Sequence, residues 1–212
     1  MSSRGAHVQV ARRRAARRRA PRRRGRTFLL LALLVVGAVL AVKPLFNSAV
    51  RDLSLPLRHA ATIRQQARAK RLDPTLVAGV IYAESKFSDA TSSAGALGLM
   101  QLLPSTAHFI AQRSGGTAFT TADLSTPDVN IAYGSWYLRY LLDRYGNSEV
   151  LALAAYNGGE TNVNRWLATA RARGTSFRLA DIPFAETRAY VARVLDAQRR
   201  YRATYAHELG VG

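Results

Sequence analysis

DPTLVAGVIYAESKF, residues 73–87, sets the reading of the whole chain. An aspartate followed by a proline marks a helix start, because the carboxylate can cap free amide groups and proline fits the first helical position. Leu76, Val80 and Glu84 recur every four residues and share one helix face, with Val77 and Ile81 beside them. The stretch therefore reads as an apolar helix with a carboxylate set into its apolar stripe. Burial disfavours the charged form of a carboxyl group, and the negative end of the helix dipole pushes the same way. A carboxyl so placed can hold a proton near neutral pH and give it up as a general acid. The competing reading is a glutamate paired with an arginine or bonded to a backbone amide. This stretch taken alone weighs the two equally.

The helical period continues outward in both directions. PLRHAATIRQQARAKR, residues 56–71, has proline near its start and cations near its end, which suits the helix dipole. Pro104 opens PSTAHFIAQR. Asp128 is expected to cap VNIAYGSWYLRYLLDRY, with Ala132, Tyr133, Trp136, Tyr140 and Leu141 as its stripe. Ser148 is expected to cap EVLALAAYN, which stops at Gly158 and Gly159. TNVNRWLATARAR then runs to Gly174, and PFAETRAYVARVLDAQRRYRATYAHEL closes the chain as a long amphipathic helix. The small-residue stretch SDATSSAGALG and the segment SGGTAFTTADLSTP read as loops. No run alternates in the manner of a strand. The fold class is all-α, a single domain over residues 56–207.

Charge is distributed unevenly ahead of that domain. Of the 31 Lys and Arg residues, eleven arginines fall within residues 1–42, which contain no acid. ARRRAARRRAPRRRGR leads directly into TFLLLALLVVGAVLAV. An arginine-rich arm alone would suggest nucleic acid, but that reading leaves the apolar run unexplained. The positive-inside rule accounts for both features, so no nucleic-acid partner is expected. The uninterrupted run Phe28–Val42 has 15 residues. About 20 are needed to span a bilayer, so Thr27, Leu45 and Phe46 would extend the run while Arg26 and Lys43 snorkel to the interfaces. Residues 1–26 are read as a cytoplasmic tail, 27–46 as a membrane anchor and 47–55 as a linker. A cleaved signal peptide with a long basic n-region is the alternative. The chain has no cysteine, and its four histidines are scattered without HExxH or HxxxH spacing. Disulfides and thiol chemistry are excluded, and no metal or cofactor is expected.

Three further stretches bear on the role of Glu84. GALG by itself signals only a turn. Tyr156 and Asn157 in AAYNGG read singly as a core aromatic and a helix C-cap. Glu186 and Tyr190, four apart, share a helix face and suit a structural hydrogen bond. In this order and spacing, however, AESKFSDATSSAGALGLMQLLPSTA, ALAAYNGGETNV and IPFAETRAYVARVL resemble the soluble-lytic-transglycosylase (goose-lysozyme-like) domain over roughly residues 55–200.

The resemblance implies a lysozyme-like helical fold with a cleft for peptidoglycan glycan strands. It implies Glu84 as the single catalytic acid and base. It implies Ser93, Met100 and Gln101 as substrate-lining residues, joined by Tyr156, Asn157, Glu186 and Tyr190. Two positions depart from the family pattern: Leu103 stands where many members have Met, and Gly159 where Ala is commoner. Glycosidases ordinarily use two carboxylates. Here the motifs supply one, and Asp89 falls in the loop. A one-carboxylate route is available if the acetamido group of muramic acid stabilises the anomeric centre and its O6 closes a 1,6-anhydro ring. A muramidase that uses water, or a non-catalytic peptidoglycan-binding scaffold, would share the same fold.

Overall fold

Among the residues described by the computed structural model, which are 55–89, 91–116 and 118–211, the chain runs through seven α-helices and two short 3-10 turns. The helices are α1 (Ala60–Lys70), α2 (Pro74–Ser85), α3 (Pro104–Ser114), α4 (Pro127–Arg144), α5 (Glu149–Gly158), α6 (Glu160–Ala172) and α7 (Ala185–Leu209). The 3-10 turns are Thr121–Ser125 and Leu179–Asp181. Pairing of extended backbone among these residues is confined to an isolated bridge between Leu97 and Leu102. The arginine-rich and apolar segments at 1–26 and 27–46 lie outside the described residues, as does the 47–55 linker up to Ser54. Among the described residues no helix is long and apolar enough to cross a membrane.

α2 is the axle of the domain. Asp73 caps it as the sequence predicts, its carboxylate accepting from Thr75 N at 2.9 Å and Thr75 Oγ1 at 2.7 Å. Residues 75–81 are all buried, so the helix is surrounded by protein rather than presenting one apolar stripe. Its last turn, from Tyr82 to Ser85, emerges into half-buried surroundings. α2 packs most extensively against α7. The two backbones come so close that a Cβ on Gly79 would lie 3.0 Å from Val194 O. The far carboxylate oxygen of Asp73 accepts from Gln198 Nε2 at 3.4 Å and pairs with Arg202, both on α7.

Most helices contribute to one main core that includes Val77, Ile81, Leu138, Leu153, Val191 and Tyr201. A second, smaller core gathers Leu102, Ala107, Ile110 and Leu124 under Phe119, Tyr133 and Trp136. Three expectations from sequence need correction. α1 begins at Ala60 rather than at Pro56, whose carbonyl instead accepts from the Tyr201 hydroxyl. Asp128 is not the cap of α4; it lies in the first turn and accepts from Thr62 Oγ1 at 2.6 Å, tying α4 to α1. The deeply buried face of α4 is Asn130, Ile131, Gly134, Ser135, Leu138, Leu141 and Leu142, not the aromatic stripe. Tyr133, Trp136 and Tyr140 are half-buried, because their large rings pack at the margin beside Phe109 and Phe119.

Immediately after α2, Lys86 and Phe87 both take left-handed backbone conformations, with φ of 52° and 63°. Phe87 is held there by burial, its ring 6.0 Å from that of Tyr201. Lys86 is exposed and gains no such compensation. A left-handed non-glycine residue costs about 1–2 kcal/mol, so Lys86→Gly is expected to stabilise the domain by about 1 kcal/mol. Thermal melting should show a rise of about 2–4 °C. An unchanged or lower midpoint would mean that the Lys86 side chain contributes something that offsets the strain.

Candidate active site

The last turn of α2 brings Glu84 out of the core still half-buried. Its Oε1 accepts from the Tyr190 hydroxyl at 2.7 Å, a bond spanning 106 residues of sequence. Burial pushes the Glu84 carboxyl up to about 7, against the lowering effects of the Tyr190 bond and of the Arg193 charge. Among the described residues no Asp or Glu figures among the charges that act on it. The phenols of Tyr190 and Tyr156 are held neutral, raised first by burial and then by the Glu84 charge. The group is thus an acid near neutral pH, with a fixed donor on one oxygen.

Beside it stands the turn 97–102. Leu97 and Leu102 exchange both backbone bonds at 3.0 Å, and Ser85, the neighbour of Glu84, donates to Leu99 O at 2.8 Å. Tyr156 donates to Met100 O at 2.8 Å. From the buried face of α4, the amide of Asn130 accepts from Met100 N at 2.8 Å and donates to Leu97 O at 2.9 Å and Leu124 O at 3.0 Å. Gly98, with φ of 71°, lies so close over this amide that no side chain fits. Asn130 is a determinant of the site that sequence reasoning missed. The one available signal was a lone amide adjoining Ile131 on α4, and it was masked by drawing the stripe through the aromatics.

The other residues singled out from sequence are disposed as follows. Gln101 is half-buried at a left-handed position, with φ of 47° and its Nε2 donating to Gly98 O at 2.7 Å. Met100 directs its side chain into the core against Gly134 and is wholly inaccessible, so only its backbone takes part in the turn. Ser93 is exposed at a loop tip, while its neighbour Ser92 closes the loop by accepting from Ala96 N at 3.0 Å. Asn157 is exposed at the end of α5 and is not the cap. Gly159 takes that position, and Asn162 Nδ2 satisfies Gly158 O at 2.7 Å. Glu186 is exposed in the first turn of α7; the Tyr190 hydroxyl goes to Glu84 rather than to it. Glu84 and Tyr190 are therefore joined by one direct bond and Tyr156 and the 97–102 turn by another, with Ser85 tying the turn to α2 and Ser93, Asn157 and Glu186 on the surface. Among the described residues no group of three or more His, Asp or Glu could hold a metal ion.

The chain is similar to one group of known proteins. The family profile described as Transglycosylase SLT domain matches residues 61–177. The soluble lytic murein transglycosylase of Salmonella typhimurium is 34% identical over 158 residues, covering 73% of this chain and 24% of that protein. Among solved structures, an inactive mutant of the lytic transglycosylase Slt of Pseudomonas aeruginosa, in which a glutamate is replaced by glutamine, is 34% identical with a TM-score of 0.66. The match covers 76% of this chain and 26% of that one. The complex of a 70 kDa soluble lytic transglycosylase with bulgecin A matches at 29% identity and a TM-score of 0.67, over 72% of this chain and 25% of that one. The chain spans about a quarter of the length of these relatives.

Proposed function

The chain belongs to the transglycosylase SLT domain family, and on that footing we propose that it is a peptidoglycan lytic transglycosylase with Glu84 as its single acid and base. The bond broken is MurNAc-(β1,4)-GlcNAc, without water. The observation that carries this reading is the half-buried Glu84 carboxyl, bonded to Tyr190 and raised to about 7 by burial, with no second carboxylate acting on it among the described residues. A pair of carboxylates would suit direct hydrolysis; a lone one suits a substrate that supplies its own nucleophile.

In the first step Glu84 passes its proton to O4 of the departing GlcNAc while the C1–O4 bond breaks. The acetamido oxygen of MurNAc bonds to C1 and takes up the developing charge as an oxazolinium. In the second step O6 attacks C1, the acetamido oxygen leaves, and the Glu84 carboxylate takes the O6 proton. The 1,6-anhydro ring closes and Glu84 is reset. Because O6 belongs to the same sugar, the second step gains the proximity advantage of an intramolecular reaction. Tyr190 holds Oε1, which leaves Oε2 to carry the proton. Gln101 and Asn157 are assigned to the sugar hydroxyls and the acetamido group, with Ser93 and Glu186 at the rim. The inactive Glu-to-Gln form of the Pseudomonas aeruginosa relative supports the central role given to a glutamate. The arginine-rich segment and the apolar run at 27–46 are assigned to placing the domain on the outer side of the membrane, where its substrate lies.

Digestion of purified sacculi followed by muropeptide analysis tests the reaction class. Products ending in 1,6-anhydro-MurNAc are expected; reducing ends alone would leave a muramidase. The first step also needs a protonated Glu84. kcat/KM should therefore hold below pH 7 and fall about tenfold per pH unit above it. A profile flat to pH 9 would remove Glu84 from the acid role.

A further inference from the structure

Arg193 lies three residues beyond Tyr190 on α7 and is exposed. Its guanidinium carbon is 5.9 Å from the centroid of the Tyr190 ring, the ring whose hydroxyl donates to Glu84. Neighbouring arginines on the helix are engaged elsewhere. Arg188 donates to Ile182 O, Arg199 pairs with Asp196, and Arg202 pairs with Asp73. Arg193 forms no ion pair among the described residues. The titratable groups that face Glu84 are Tyr156 from α5 and Tyr190 and Arg193 from α7. Both phenols are neutral, so Arg193 supplies the one full charge acting on Glu84 among the described residues.

A single carboxyl that serves as acid and then as base has conflicting needs. Burial favours the neutral form that begins the reaction and opposes the anion that must exist between the two steps. Something has to temper that opposition without abolishing the acid. We propose, taking Glu84 as the acid and base, that Arg193 is the cation that stabilises the Glu84 carboxylate formed once its proton has left for the sugar. Held over the Tyr190 ring at the exposed edge, it acts across space on Glu84 and does not touch the reacting sugar. It is a positioning residue in the electrostatic sense. Its distance and exposure keep the effect modest, so Glu84 remains protonated when substrate arrives.

The test uses the full chain with a soluble MurNAc–GlcNAc oligomer, measuring kcat and KM from pH 5 to 9 for wild type, Arg193→Gln, Arg193→Lys and Glu84→Gln. In Arg193→Gln the alkaline limb of kcat/KM should move up by roughly half a pH unit. In the same variant kcat on the acid side should fall about twofold with KM unchanged. Arg193→Lys should keep the wild-type limb. Raising salt from about 20 mM to 500 mM should move the wild-type limb toward that of Arg193→Gln and leave the variant's own limb in place. An unmoved limb in Arg193→Gln, or a loss confined to KM, overturns the proposal. Glu84→Gln separates the two readings. Full activity in that variant defeats the role of Glu84 itself, whereas a dead Glu84→Gln beside an unmoved Arg193→Gln limb defeats only the role of Arg193.

Discussion

Glu84→Gln should abolish lysis of sacculi, with kcat falling on the order of 10³- to 10⁴-fold, while glycan binding is retained. The amide keeps the shape of the side chain and can still accept from Tyr190, but it has no acidic proton to give and cannot take one back. Lysis at the wild-type rate would sink the assignment. The same substitution should make the fold more stable at neutral pH. The Glu84 carboxyl sits at about 7 in the folded protein, against an ordinary value of 4.5. The folded state therefore holds the proton more tightly than the unfolded chain. This contribution is fully present below about 4.5 and is lost as pH rises through about 7. Allowing for partial exposure of the group, the loss is about 2 kcal/mol. Glutamine carries no such dependence, so the variant should melt higher than wild type above pH 7, and the advantage should shrink toward pH 4.5. Parallel melting curves at every pH would show that burial of Glu84 costs nothing, and would remove the physical basis of its acidity.

Gly98→Ala should destabilise the domain by about 3–5 kcal/mol. An added Cβ would fall 2.2 Å from Asn130 Nδ2 and 2.6 Å from Leu124 O, at a φ of 71° that alanine resists. Moving Asn130 aside removes the buried bonds to Met100 N and Leu124 O, and leaves Leu97 O with only its bond from Leu102 N. Total stabilities of natural domains are about 5–15 kcal/mol, so a loss of this size brings the protein near unfolding at physiological temperature. Gly95→Ala is the control. Gly95 has a φ of 76° but nothing within 4 Å of an added Cβ, so it should lose only about 1 kcal/mol for its backbone. Equal losses in the two variants, read by denaturant unfolding, would show that Asn130 yields without cost and that the turn is not held by it.

The contrast between Glu84 and Asn130 shows what a linear sequence can convey here. Local rules placed the helices well, because caps such as Asp73 and Ser148 and stops such as Gly159 act within a few residues of chain. Glu84 was visible as a carboxylate breaking an apolar period, and the ordered motifs gave it a role. Asn130 was not visible, because a buried amide makes sense only beside the three backbone groups it joins, at 97, 100 and 124. The face of α4 was misdrawn for a related reason. Hydrophobicity ranks Tyr and Trp with the core, yet their bulk and polar atoms keep them at its margin, and Gly134 lies deep because Met100 needs the space. The side chain of Met100 could not be oriented from its motif at all. Arg193 had no signal, since one exposed arginine among many on α7 gains meaning only from the ring beneath it.

The capping carboxylate at the start of α2 has a consequence far from where it sits. Asp73 grips Gln198 and Arg202 at one end of the α2–α7 pair, and Tyr190 grips Glu84 at the other. Two antiparallel rods bolted at both ends cannot slide, and a slip of one helical turn, about 5.4 Å, would tear both fastenings at once. The spacing between Glu84 and the Tyr190 phenol is therefore gauged at the far end of the helix pair.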